Sequence, residues 1–309
     1  MKTLKINKIS AVLVAALFVG SFAWGQQRAQ YTQYMYNTMP LNAGYTGTID
    51  GLEATAIHRS QWVGMDGAPV TTGLSLNGAI NKHFGLGLTA VNDRIGPITQ
   101  NELAVNLASS VQLNDKLRLS LGVSGGINSV SADWSMGTIY NTSDNAYNQN
   151  LNNEITPAVG AGLYLYSNRF YAGVSSPNVI KRKSNLSQVY DRFANELHFF
   201  VITGYVFDLS PNVKFKPALM TKIVPNAPLS IDLSANFLLK EQFTLGAAYR
   251  YQDAINLLAG YEFAKSFFVG YAYDLGITPT KDFHSGSHEI ILKYKLLRQT
   301  RVATSPRFF

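Results

Sequence analysis

Beyond residue 50 the chain alternates apolar residues with small or polar ones, in runs of about ten. One run places Leu229, Ile231, Leu233, Ala235, Phe237 and Leu239 on one face and Ser230, Asp232, Ser234, Asn236 and Lys240 on the other. Successive side chains of a β-strand point to opposite faces, so this run predicts a strand with one oily and one wet side. The same rhythm gives Leu103, Val105 and Leu107; Leu119, Leu121 and Val123; and Phe243, Leu245, Ala247 and Tyr249. It returns in Ile255, Leu257, Ala259 and Tyr261, in Phe267, Val269 and Tyr271, and in Ile290, Leu292 and Tyr294. The first strand, near Glu53 to Gln61, is less regular, as is the one holding Pro217, which lacks a ladder donor.

Counted by its punctuation, the pattern predicts fourteen strands over residues 51–297. Short polar turns at residues 81–83, 114–116, 167–169, 210–212, 240–241 and 264–265 alternate with mostly longer connections at 62–69, 93–99, 129–154, 177–195, 224–228 and 277–286. Outer-membrane barrels join short periplasmic turns to longer outside loops, and an even strand count returns both ends to the periplasm. The expectation is an all-β chain: a 14-stranded antiparallel transmembrane β-barrel in the outer membrane, lipid on its oily face and both termini periplasmic. A soluble sandwich or lipocalin-like barrel also alternates. The number of consecutive strands with apolar outer sets, and Tyr or Phe near strand ends, favour lipid.

Lys2, Lys5 and Lys8 precede the apolar stretch 9–20, and Ala23-Trp24-Gly25 offers small residues, so residues 1–25 read as an export signal cleaved before Gln26. No later run reaches the roughly 18 apolar residues of a membrane helix, so strands must do any further crossing. The absence of cysteine excludes thiol catalysis, thiolate metal sites and a lipid-modified cysteine. Of the net charge of +7, three lysines belong to the signal; the remaining excess, about +4, gives no support to a nucleic-acid partner. No linker divides the remainder, which comprises segment 26–50, the barrel and a tail, 298–309.

On the same phase Lys214, Lys216, Lys222, Asp232, Arg250, Glu262, Asp274, Glu289, Lys293 and Lys295 face the lumen. A basic residue facing lipid near the midplane costs roughly 2–4 kcal/mol, so this placement supports the assigned faces. The charges could line a selective channel or form ion pairs that hold the wall or a plug; mixed signs favour the second. A fourteen-stranded lumen is wider than wall side chains can fill. Segment 26–50, rich in amides and tyrosines, is expected in the lumen or at the periplasmic mouth, with a disordered leader as the other reading.

Chemistry of other kinds finds little. His58, His83 and His198 are scattered, and Asp133, Asp144 and Glu154 match no compact calcium loop. His284, Ser285, Ser287, His288 and Glu289 lie close together without a nucleophile elbow or metal spacing. No catalytic, cofactor or metal site is expected, and the chain does not read as an enzyme.

Three stretches interrupt the rhythm. The first joins Gln33-Tyr34-Met35-Tyr36-Asn37 to Leu41-Asn42-Ala43-Gly44-Tyr45-Thr46-Gly47; the second is Arg59-Ser60-Gln61-Trp62 leading through Asp66 to Gly67-Ala68-Pro69; the third is Asn92-Asp93-Arg94-Ile95-Gly96-Pro97. In this order they resemble the PorP/SprF family of outer-membrane proteins of the type IX secretion system of Bacteroidota. Ala43-Gly44 stands where the family pattern has Pro-Ala, exchanging a fixed φ for a flexible backbone.

The resemblance implies an integral accessory of that system, associated with its periplasmic ring lipoprotein and assisting secretion and surface attachment of a large cargo or gliding adhesin with a type B C-terminal domain. It makes Gln33, Tyr34, Tyr36, Asn37, Asn42, Tyr45, Arg59, Gln61, Trp62, Asp66, Asn92 and Asp93 candidates for partner contact or for packing in the lumen. A docking barrel is the mechanistic hypothesis: the outer loops, chiefly 129–154 and 177–195, hold the cargo domain, while the periplasmic turns and the tail 298–309 meet the machinery. The alternative is an outer-membrane diffusion channel or hydrophobic-solute transporter.

Overall fold

The computed structural model of the chain describes residues 28–49, 51–136, 150–180, 197–225, 227–264 and 266–297. Its strands are β1 (Gly51–Ser60), β2 (Val70–Ala79), β3 (Phe84–Ile95), β4 (Ile98–Gln112), β5 (Arg118–Ala132), β6 (Leu151–Tyr166), β7 (Phe170–Ser176) and β8 (Phe199–Tyr205). They continue as β9 (Phe207–Ser210), β10 (Val213–Ile223), β11 (Ser230–Leu239), β12 (Phe243–Arg250), β13 (Ala254–Phe263), β14 (Phe267–Gly276) and β15 (Ser287–Leu297). Neighbours pair antiparallel, and β1 pairs with β15 to close the wall. Because β8 and β9 both pair with β10, the fifteen segments make a closed barrel of fourteen strands.

The split in that one strand has a local cause. β8 and β9 part at Val206, whose N–H donates to Arg169 O at the edge of β7, on the side away from β10. Ala218 pairs with Gly204 and Phe215 with Phe207, so the interruption falls opposite Lys216 and Pro217. Proline has no N–H to give, and the ladder breaks beside it.

The alternation sorts the faces as expected. Leu74, Leu121, Leu233 and Leu257 are more than half exposed on the outside, while Asn236, Asn256 and Glu289 are 0% exposed within. An aromatic belt runs along the outer face near one rim from β8 to β15: Tyr205 lies 4.6 Å from Phe207, Phe215 4.9 Å from Phe237, Phe243 4.8 Å from Tyr261, and Phe267 4.7 Å from Tyr294. Such girdles mark the level of lipid headgroups.

One connection is shorter than its residues imply. Turn-forming Asn92, Asp93, Gly96 and Pro97 predict a loop over 93–99, yet β3 runs to Ile95 and β4 starts at Ile98, with Gly96 at φ 54°. Gly96 and Pro97 suffice to reverse the chain, and Asp93 pairs with Gln100 in the ladder. The long connections 61–69, 133–150, 177–198 and 277–286 all leave the same mouth. At the other mouth, that of the short turns, Gly51 faces Leu297.

Candidate functional site

Segment 28–49 fills the lumen. Every residue from 31 to 46 except Pro40 is buried, and its partners are inward side chains from strands all round the wall. Segment 28–49 forms a plug held in three zones.

The upper zone is ionic. Glu289 accepts the backbone N–H groups of Thr32 at 2.8 Å and Gln33 at 2.7 Å, and Thr32 Oγ1 donates to Asp274 Oδ1 at 2.8 Å. Arg59 joins both carboxylates, with Nη2 2.7 Å from Asp274 and Nη1 3.3 Å from Glu289, and Nη1 also donates to Thr32 Oγ1 at 2.9 Å. Arg250 Nε meets Asp232 at 2.9 Å beside them. Buried charges are tolerable only when paired and fully hydrogen-bonded, and the plug backbone supplies part of that bonding. Wall and plug each need the other here.

The middle zone is aromatic. Tyr36 stacks on Phe268 with ring centroids 4.8 Å apart, Tyr34 and Met35 join the same buried cluster, and Asn37 accepts the Ser75 hydroxyl at 2.8 Å.

The lower zone is a turn. Asn42 caps the 3-10 turn Ala43–Tyr45 by accepting Gly44 N–H, and its Nδ2 donates to Leu163 O at 3.0 Å. That cap shapes the turn without the proline of the family pattern. Tyr45 meets Tyr164 edge-on at 5.4 Å, Ser175 Oγ donates to Leu41 O at 2.8 Å, and Gly47 N donates to Asn77 at 2.7 Å.

Wall glycines make room for this contact. A Cβ on Gly122 would come within 3.0 Å of Ala43, one on Gly162 or Gly173 within 3.0 Å of Asn42, and one on Gly87 within 3.0 Å of Met39. Gly85 meets Gly47 in the same way, and Gly270 meets Gln33. These glycines, with Thr32, Ser75, Asn77 and Ser175, belong to the site although sequence reasoning passed over them. The one available signal was glycine at inward positions.

The plug has a direction. Arg28 pairs with Glu102 in β4, and its N–H bonds His198 just before β8, both toward the long-loop mouth. Gly47 lies against Gly85 and Asn77 toward the short-turn mouth, where β1 begins. Segment 28–49 thus runs through the lumen from Arg28 near the long-loop mouth to Gly47 near the short-turn mouth, while the two termini themselves lie outside the described residues.

Of the sequence candidates, Gln33, Tyr34, Tyr36, Asn37, Asn42, Tyr45 and Arg59 meet in the plug and its seat. Gln61, Trp62 and Asp66 lie on the β1–β2 connection at the long-loop mouth. Asp93 points inward and accepts from Thr71, whereas Asn92 points outward and donates to Asn101. Asp232, Arg250, Asp274, Glu289 and Lys293 are buried in the lumen, Lys293 pairing with Glu53 at 3.0 Å, while Glu262 is half-buried near Lys295. The Ser/His cluster is spent structurally: Ser285 Oγ donates to Val63 O, Ser287 Oγ accepts from Trp62 N–H, and His288 Nδ1 bonds the Tyr271 hydroxyl. Most of the loops 129–154 and 177–195, and the tail, lie outside the described residues.

Above the plug, the long-loop mouth opens into a cavity of about 560 Å³ with a mixed lining, polar at Arg28, Gln30, Arg250 and Asp253 and apolar at Trp62, Ile95 and Leu229. The volume falls within the range of ligand pockets.

A family model described as "Type IX secretion system membrane protein PorP/SprF" matches residues 23–294. No curated protein matches the chain. Among solved structures it is similar to the CymD monoaromatic hydrocarbon channel, at 12% identity and a TM-score of 0.49 over 81% of this chain and 90% of that one. It is also similar to Omp33 of Acinetobacter baumannii, at 10% identity and a TM-score of 0.46 over 81% and 100%, and to a Pseudomonas aeruginosa FadL homologue, at 12% and 0.45 over 89% and 96%.

Proposed function

The chain belongs to the PorP/SprF family of type IX secretion system membrane proteins, and from that premise we propose that it is a plugged accessory barrel of the outer membrane that docks cargo and does not conduct solute. Its cargo would be a large secreted protein or gliding adhesin with a type B C-terminal domain, and its periplasmic partner the ring lipoprotein of the same machinery. The role is non-enzymatic. One observation carries the reading: the lumen is occupied from mouth to mouth by the chain's own residues, anchored by buried ionic bonds at Thr32 and by a capped turn at Asn42.

A diffusion channel needs a water-filled path, and here the inward charges bind the plug and one another. The geometry therefore favours docking over transport of small solutes. Deleting the gene should leave one large partner unexported or shed into the medium; unchanged display of every secreted protein would refute the proposal.

A further inference from the structure

Segment 28–49 threads the barrel, so its first described residues, Arg28–Gln30, lie at the mouth opposite to the one where the barrel's strands begin and end. We propose that the long-loop mouth is a docking cup for an extended polypeptide segment, and that the cup's floor is the chain's own N-terminal stretch, Arg28–Gln30, displayed on the outer face of the membrane.

The cup is suited to a polypeptide. Its lining carries both signs of charge, Arg28 and Arg250 against Asp93 and Asp253, together with the amides of Gln30, Gln61 and Gln252. The charges are already paired, Arg28 with Glu102, Arg250 with Asp232 and Asp253, and Asp93 with the Thr71 hydroxyl, so the open groups are the amides of Gln30 and Gln61, which an extended chain with an N–H and a C=O at every residue can meet. The plug closes the floor, so a segment entering the cup is held rather than passed through.

The rim adds a fixed anchor. Trp62 sits at φ 46°, a left-handed conformation that is strained for a bulky residue, and it is 37% exposed. Its neighbours hold it there: Trp62 N–H donates to Ser287 Oγ at 3.2 Å, Val63 N–H to Gly286 O at 2.9 Å, and Ser285 N–H to Val63 O at 2.8 Å. Strain kept by so many bonds characterises functional positions, and a rigid exposed indole at a polar rim is the usual anchor of a protein interface. Tyr251 stands on the same rim.

The docking half of the proposal rests on the accessory role; the sidedness does not. The chain contains no cysteine, so single cysteines report position cleanly. Gln30→Cys marks the floor, Thr280→Cys the long-loop connection and Lys116→Cys a short turn, and the probe is a polyethylene-glycol maleimide too large to cross the outer membrane. In intact cells Gln30→Cys and Thr280→Cys should react, and Lys116→Cys only after lysis. A Gln30→Cys that reacts with the Lys116→Cys pattern, or that reacts only when unfolded, overturns the proposal.

The polymer left on Gln30→Cys should then lower display of the secreted partner by about tenfold relative to unmodified cells. Full display with the cup filled refutes docking while deletion of the gene still abolishes display. Full display after deletion as well refutes the accessory role, and the labelling pattern still reports the sidedness.

Discussion

Glu289→Ala should release the plug and leave the wall standing. The side chain is fully buried and takes three hydrogen bonds, from Thr32 N–H, Gln33 N–H and Arg59 Nη1. Removing it orphans two buried backbone donors at roughly 1–3 kcal/mol each, while Arg59 keeps Asp274 as its partner. The loss falls on the plugged state, because the β15 ladder to β14 and β1 is made by backbone. At about 3 kcal/mol the released population rises on the order of a hundredfold. The assay is the rate at which a small maleimide modifies Met35→Cys, a position 5% exposed just past the anchor, in detergent-held barrels with and without Glu289→Ala. Glu289→Gln, which keeps one carbonyl acceptor, should fall between. Equal rates in all three, with each barrel still migrating as folded on an unheated gel, would refute the anchoring role.

Other expectations follow from the same geometry. Deleting residues 28–47 should turn a barrel that is silent in planar bilayers into one with steady single-channel steps; continued silence would mean that something else closes the lumen. Gly122→Ala, which drives a methyl into Ala43, should cost roughly 1–3 kcal/mol in urea unfolding, whereas Gly125→Ala on the same strand, with nothing within 4 Å, should be neutral. Leu257→Arg on the lipid face, where the leucine is 58% exposed, should lower the folding free energy into vesicles by roughly 2–4 kcal/mol near mid-membrane.

The wall was legible because one rule governs it. Inward and outward sets separate cleanly wherever a strand meets lipid on one side, and Leu257 and Asn256 take opposite faces as their alternation demands. Turn length was less legible: Asn92 and Asp93 are turn-forming types, yet they stay in the ladder because Gly96 and Pro97 alone complete the reversal. The split at Val206 was half visible, since Pro217 announced a missing donor but not which neighbour would give way. The amide- and tyrosine-rich start was recognisable as material for the lumen. Its direction was not, because threading depends on which wall carboxylate meets Thr32, a long-range match between residues 257 positions apart in the case of Glu289.

The inward glycines separate a plugged barrel from a pore. In a water-filled lumen an inward side chain meets only solvent, and glycine there costs roughly 0.5–1 kcal/mol in backbone freedom relative to alanine with nothing gained. In this barrel the inward positions 85, 87, 122, 162, 173 and 270 are all glycine, and each faces a plug residue that a methyl would collide with. The outward Gly125 faces open space, so the crowding is specific to the lumen side. Alanine scanning reads out lumen occupancy most directly at Gly85 and Gly122, whose nearest neighbours are all plug atoms: losses there with neutrality at Gly125 require a plug seated in solution, and uniform neutrality would mean that segment 28–49 does not rest where its hydrogen bonds place it.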